Sequence, residues 1–316
     1  MAVAFMAAFA LGLFLPLAAR AQQTSTVPRV GILSTYDNIF EKRMHDLGWV
    51  QGQNVTFVPC RADTNETTIE CARKLVRDTV SIILTSGTPA SLAAKQATTA
   101  IPIVFYSVGD PVGVGLVSSL ARPGGNITGI SGITYKLGAK RLELLLEIVP
   151  RARLIGVLLN RTDPTVDQVF SALRRGMGSA NVRVEAFYVE RASDIETVFQ
   201  SMRRRGVGGA LVQPDRMFWN ARPRIVTLAT ESRVPTIYAF SEDVKAGGLI
   251  SYGASFRDMQ TQAIAYIDRI LKGAKPADLP IQEPTKFELA INLNAAKVLG
   301  FTVPAALLLR ADQVIE

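Results

Sequence analysis

Short β-branched runs alternate with helical segments along the whole chain, and this alternation leaves few folds open. Strands are read at 29–33, 55–58, 81–85, 102–106 and 127–130, then again at 154–159, 182–188, 209–212, 236–239 and 249–251. A helical stretch after each strand prevents tight hairpins and calls for crossovers, so the sheets are expected to be parallel and covered by helices. The first five and last five strands form separate sets of βα units. The boundary falls near 131–135, where Gly129, Gly132 and Gly138 loosen the chain before an amphipathic helix over 139–149. The expectation is an α/β protein of two similar lobes in tandem. A long helix over 255–272, stopped by Gly273, follows the second set and is free to return to the first lobe. The tail, 286–316, adds one strand at 287–292 and two short helices.

The N-terminus sets the compartment. Residues 1–17 carry no charge and run into Ala19, Arg20 and Ala21, a small-x-small site ahead of Gln22 and Gln23. That is the pattern of a secretory signal peptide, with cleavage expected after Ala21. Pro16 interrupts the run, which falls short of the roughly 20 apolar residues of a membrane span. No Lys or Arg precedes Arg20, so the basic start of the signal is expected upstream of Met1. The competing reading is an uncleaved N-terminal anchor; a lipid anchor would need a cysteine near the cleavage site.

Composition excludes more than it proposes. The net charge is +8, but Lys and Arg are spread along the chain. The densest run, Arg203 to Arg205, closes a helix that Ser193 is expected to cap, with Ile195, Val198, Phe199 and Met202 as its apolar stripe and Gly206 as its stop. No nucleic-acid partner is expected. His45 is the single histidine, on a helix whose apolar face is Ile39, Phe40, Met44 and Leu47, and it reads as a surface or half-buried residue. Zinc sites and Ser-His-Asp triads therefore lack their parts. Gly113 and Gly115 lack the third glycine of a dinucleotide fingerprint, and no nucleophile elbow or Walker loop occurs. Neither enzymatic activity nor a cofactor is expected. Cys60 and Cys71 stand 11 apart, at a strand end and in the next helix; a disulfide and two unpaired thiols are both compatible with that spacing.

The candidate site lies at the strand-to-helix turns. In open α/β sheets ligands sit beyond the carboxyl ends of the strands, where helix N-termini present free N–H groups. Ser86-Gly87-Thr88-Pro89 is expected to start a helix with Thr88 as N-cap and Pro89 at the first helical position. Ser107 to Pro111, with Asp110 before the proline, and Asn160 to Pro164 repeat the cap-then-proline device. Gln213-Pro214-Asp215 places a carboxylate just past a strand end. Caps stabilise helices whether or not anything binds, so the set matters more than any member. Ser86, Thr88 and Ser107 are suited to hold an anion and Asp215 a cation. Tyr36, Tyr106, Phe218, Trp219 and Phe240 flank the same turns and can sandwich an aromatic or apolar group.

At 101–130, IPIVFYSVGDPVGVGLVSSLARPGGNITGI, the sequence resembles the solute-binding proteins of ABC transporters of the tryptophan/tyrosine type. DLGWVQGQN at 46–54, AGGLISYG at 246–253, ILKGAKPADLP at 270–280 and PTKFELAIN at 284–292 agree, in the family's order. The resemblance implies a type I periplasmic-binding fold: two Rossmann-like lobes with parallel sheets, joined by a three-segment hinge. The first lobe is expected to span 28–131 plus 253–280 and the second 132–252 plus 281–316. It also implies a monomer working in the periplasm with an inner-membrane permease and its cytoplasmic ATPase, taking up an amino acid or aromatic carboxylate. A periplasmic ligand sensor on the same fold is the runner-up. Carried over turn by turn, the pocket would use Ser34, Thr35, Ser86, Gly87, Thr88, Ser107, Asp110, Asn160, Gln213, Asp215, Phe240 and Tyr252. Cys60, Cys71 and a shortened turn at 34–37 depart from the family pattern and bear on the first wall of the pocket.

Overall fold

The computed structural model describes residues 27–34, 37–62, 64–133, 135–177 and 182–316. Residues 1–26, which include the expected export segment, and Thr35 and Tyr36 lie outside them. Five parallel strands form the first sheet: β1 (Arg29–Leu33), β2 (Thr56–Pro59), β3 (Ile82–Ser86), β4 (Ile103–Val108) and β5 (Ile127–Ser131), in the order β2-β1-β3-β4-β5. Between them run α1 (Asn38–Asp46), α2 (Asn65–Arg77) and α3 (Thr88–Ala97). Because side chains alternate along a strand, Ile32 and Ile82 face α1 on one side of the sheet, while Leu33 and Ile83 face α2 and α3 on the other.

The chain then passes to a second sheet through α4 (Gly138–Ile148), β6 (Leu154–Asn160), α5 (Val166–Gly176), β7 (Arg183–Val189), α6 (Ile195–Arg204) and β8 (Gly209–Val212). It continues as α7 (Arg216–Asn220), α8 (Arg222–Glu231), β9 (Thr236–Tyr238), α9 (Ser241–Lys245) and β10 (Ile250–Gly253). Next α10 (Phe256–Leu271) returns to the first sheet, burying Met259, Ile264 and Ile267 in the core that holds Val30 and Val104. Ser255 caps it through the Asp258 N–H and Gly273 follows its end at φ 103°, as their residue types predict. The last elements, β11 (Glu288–Asn292), α11 (Leu293–Leu299), α12 (Ala305–Leu308) and β12 (Gln313–Ile315), complete the second sheet in the order β12-β11-β10-β9-β8-β6-β7.

Three crossings therefore join the lobes, after β5, after β10 and before β11. Ile281 still packs in the first-lobe core and Gln282 bridges Ile130, so the third crossing starts two residues later than the sequence reading put it. Two features of the second sheet were not read from sequence. Strand β11 runs antiparallel to β10, because the third crossing delivers it from the other direction, and β12 pairs parallel to β11. Ser193 is no cap: it lies in a short 3-10 turn over Ala192–Asp194, and α6 starts directly from that turn. Cys60 and Cys71 are joined by a disulfide, their Cα atoms 5.7 Å apart, tying the end of β2 to α2. Among the described residues, no helix is long and apolar enough to cross a membrane.

Candidate functional site

Each sheet has one place where its strand order reverses. In the first, β1 sends its chain to β2 on one side and neighbours β3 on the other; in the second, β6 stands likewise between β7 and β8. A crevice opens beyond the carboxyl ends of strands at such a point. The two crevices meet in a cleft of about 1330 Å3. Ser34 follows β1, Ser86 ends β3, Asn160 ends β6 and Gln213 follows β8, and all four line it.

The first wall carries mainly hydroxyls, with one carboxylate among the expected site residues. Ser34, Ser86, Gly87, Thr88, Ser107 and Asp110 all line it. Thr88 is not the cap that its sequence suggests: the helix begins at Thr88, preceded by Gly87 at φ 77°, a left-handed conformation that places glycine there. Ser107 also has a positive φ, 59°, at a bulge where the β4–β5 register shifts between Tyr106 and Val108. The Asp110-Pro111 step starts no α-helix; Asp110 Oδ1 accepts from the Gly113 N–H at 2.9 Å in a turn. Behind Ser34 and Ser86 stands the fully buried Tyr106 hydroxyl, whose burial pushes its pKa up to about 12, so it stays protonated.

The second wall is charged and aromatic. Asp215 caps α7, its Oδ1 accepting from the Met217 N–H at 2.7 Å, and its Oδ2 accepts from Asn160 Nδ2 at 3.1 Å. Asn160 is locked in that orientation, since its Oδ1 accepts from both the N–H and the hydroxyl of Thr162. Burial pushes the Asp215 carboxyl up to about 6, against the lowering pull of Asn160 and the α7 N–H groups. The third cap-then-proline turn is also shifted: Asp163 holds Thr165, and α5 begins at Val166. Phe240 and Trp219 line the cleft with Phe256, which α10 brings from the first lobe. The Trp219 and Phe256 ring centres are 4.3 Å apart.

Among the described residues, polar contacts join the two sides of the cleft. Asn65 Nδ2 donates to the Thr162 carbonyl at 2.8 Å, and Arg216 reaches the Leu33 carbonyl at 3.5 Å. Tyr252, expected in the pocket, is absent from its lining. Its ring faces Phe287 in the third crossing, and its carbonyl accepts from Nε of the buried Arg141 at 2.7 Å, so it belongs to the hinge.

A family profile described as ABC transporter substrate-binding protein matches residues 30–315. The chain belongs to that family. It is a family of solute-binding proteins, not of enzymes. A tyrosine-binding protein of Clostridioides difficile (strain R20291) is 29% identical over 261 residues, covering 82% of this chain and 75% of that one. A conserved domain protein from Vibrio cholerae superposes with a TM-score of 0.83 at 26% identity, over 92% of this substrate-binding protein and 100% of the other. A Streptococcus pneumoniae ABC domain in complex with L-Trp gives 0.82 at 25% identity, with the same coverage. A ligand-free, open substrate-binding protein with adhesive properties from Clostridium difficile gives only 0.61 at 26% identity, over 92% and 99%.

Residues that sequence reasoning missed are Asn65, Arg216 and Phe256. Phe256 left a signal, since it directly follows the Ser255 cap and so starts the helix that leaves the second crossing. Asn65 and Arg216 left none, because their partners lie in the other lobe.

Proposed function

We propose that this substrate-binding protein captures an amino acid with an aromatic side chain and hands it to an ABC permease driven by its ATPase. The observation that carries the reading is Asp215. Both its oxygens are held by neutral donors, Asn160 and the α7 backbone, inside a cleft where burial disfavours its charge. A ligand ammonium offsets that cost, because a cation beside a desolvated carboxylate interacts far more strongly than in water. Ser34, Ser86 and Ser107, with the Tyr106 hydroxyl behind the first two, offer the opposite wall to a carboxylate. Trp219, Phe240 and Phe256 suit the side chain. The tyrosine-binding relative and the L-Trp complex support the same ligand class.

Closure follows from the same contacts. A solute held by both walls stabilises the arrangement in which they meet, and the closed form is what the permease recognises. Work in the periplasm, after removal of the export segment, agrees with the Cys60–Cys71 disulfide, which persists in oxidising compartments. The test is a thermal-shift and calorimetric screen of the mature protein, refolded to strip bound solute. L-Trp, L-Tyr and L-Phe are expected to raise the melting temperature by mass action. No shift with any amino acid or aromatic acid would sink the reading.

A further inference from the structure

An aromatic wall is useful only if it stays in place while the cleft is empty, and α7 is too short to hold Trp219 by its own backbone. The ring is held from outside the helix. The Arg222 guanidinium lies 3.8 Å from the Trp219 ring centre, and the Phe256 ring centre lies 4.3 Å away at an interplanar angle of 31°. Two planar groups this near one ring centre would overlap on a single face, so they take opposite faces. Phe240 meets the same indole edge-on at 5.8 Å. Arg222 is itself fixed: its Nε donates to Asp243 Oδ1 at 2.8 Å, and the two side chains are only 17% and 13% exposed. Asp243 sits on α9, three residues after Phe240, so one ion pair anchors the supports of both aromatic residues.

Exposed arginines on helix starts gain little from a carboxylate and nothing from a ring they do not cover. Arg222 differs in being desolvated between a carboxylate and an indole, where a planar, weakly hydrated cation stacks and a lysine does not. We propose that Arg222 is the positioning residue of the cleft's aromatic wall: stacked on Trp219, it holds the indole against Phe256 and gives the cleft its preference for aromatic over aliphatic amino acids. This rests on the amino-acid reading above.

Arg222→Lys in a Trp49→Phe background tests it, because the chain has two tryptophans and Trp219 then reports alone. Lysine keeps the charge near Asp243 but lacks the planar fork. Without solute, acrylamide is expected to quench Trp219 more strongly in the variant. In calorimetry, L-Trp and L-Tyr are expected to lose about tenfold in affinity while L-Leu changes less than about twofold. Should the lysine variant fold poorly, Arg222→Gln paired with Asp243→Asn removes both charges at similar shape and is read the same way. Unchanged quenching overturns the positioning role, and equal losses for L-Trp and L-Leu overturn the selectivity. If the unsubstituted protein binds no amino acid, the functional reading itself fails and the selectivity falls with it, an outcome distinct from the other two.

Discussion

Asp110 and Asp215 both line the cleft, each just past the end of a strand and each accepting from a backbone N–H, Gly113 at 2.9 Å and Met217 at 2.7 Å. They differ in what surrounds them. Both are half-buried; Asp110 sits in a turn of the first wall, whereas Asp215 also accepts from the locked amide of Asn160, and desolvation pushes its carboxyl up to about 6. The first wall offers hydroxyls whose partners can be water when nothing is bound. The second holds a charge that is disfavoured until something cationic arrives. The same local device thus closes a turn in one place and, under the function proposed above, serves recognition in the other, where desolvation at the strand end and the Asn160 amide set the carboxyl apart.

The sharpest way to break this contrast is Asp215→Ala. An amino-acid solute is expected to lose about 100-fold or more in affinity, on the order of 3 kcal/mol, while its analogue lacking the amino group changes about threefold at most. Calorimetry with the two ligands decides it, and equal losses would remove the assigned role. Stability should fall by only ~1 kcal/mol, the usual cost of a lost N-cap.

Replacing Cys60 and Cys71 with Ala probes the other wall. The short loop that the disulfide closes predicts a stability loss of roughly 3 kcal/mol in denaturant titrations, with less than about a tenfold loss of affinity. A larger loss of affinity than of stability would mean that the first wall is as specialised as the second.

A pH series separates the walls next. Affinity for the amino acid is expected to rise with pH through about 6 and level off above it, changing by up to about tenfold per pH unit below. The ligand-free protein should show the opposite sign. A carboxyl whose folded pKa is raised favours the folded state while protonated, and that contribution is lost as pH climbs through about 6. Asp243 is pushed up to about 6 as well, chiefly by burial and against the pull of Arg222. Asp215→Asn should therefore flatten the affinity profile but leave part of the stability profile. An unchanged affinity profile in that variant would assign the titration elsewhere.

Ser86→Ala should cost about fivefold, near 1 kcal/mol, with no change in pH dependence. Smallest of all, Asn65→Ala removes one contact across the cleft, and a loss of about twofold is expected with a shift toward open lobes in small-angle scattering. A loss as large as that of Asp215→Ala would make closure, not recognition, the main source of affinity.

Most strands were legible because each is a buried β-branched run bounded by turn residues, information that is local and repeated. The 255–272 helix was legible for the same reason, from a serine at one end and a glycine at the other. The turns were legible only as places. Ser86, Ser107, Asn160, Gln213, Asp215 and Phe240 do line the cleft, yet Thr88 begins its helix instead of capping it, because Gly87 takes the left-handed conformation that ends the strand. Tyr252 misled because strand β10 ends at the hinge, where its neighbour is Phe287 and not the solute cleft. Phe218 and Trp219 are adjacent aromatics, but one is packed in the core beside Leu158 while the other lines the cleft. Five residues of helix give no periodicity from which to tell them apart.

By itself the sequence determined the alternation of strands and helices, the division into two sets and the turns where a ligand would sit, since hydrophobic period, caps and glycines act over a few residues. Tertiary structure decided the antiparallel β11, the disulfide between Cys60 and Cys71, the desolvation of Asp215 and the stacking of Arg222 on an indole that meets a ring from the other lobe. Those depend on which distant segments exclude water together. Burial is a property of the assembled fold, and neither the charge on a carboxylate nor the hold on a ring can be read until it is known what surrounds them.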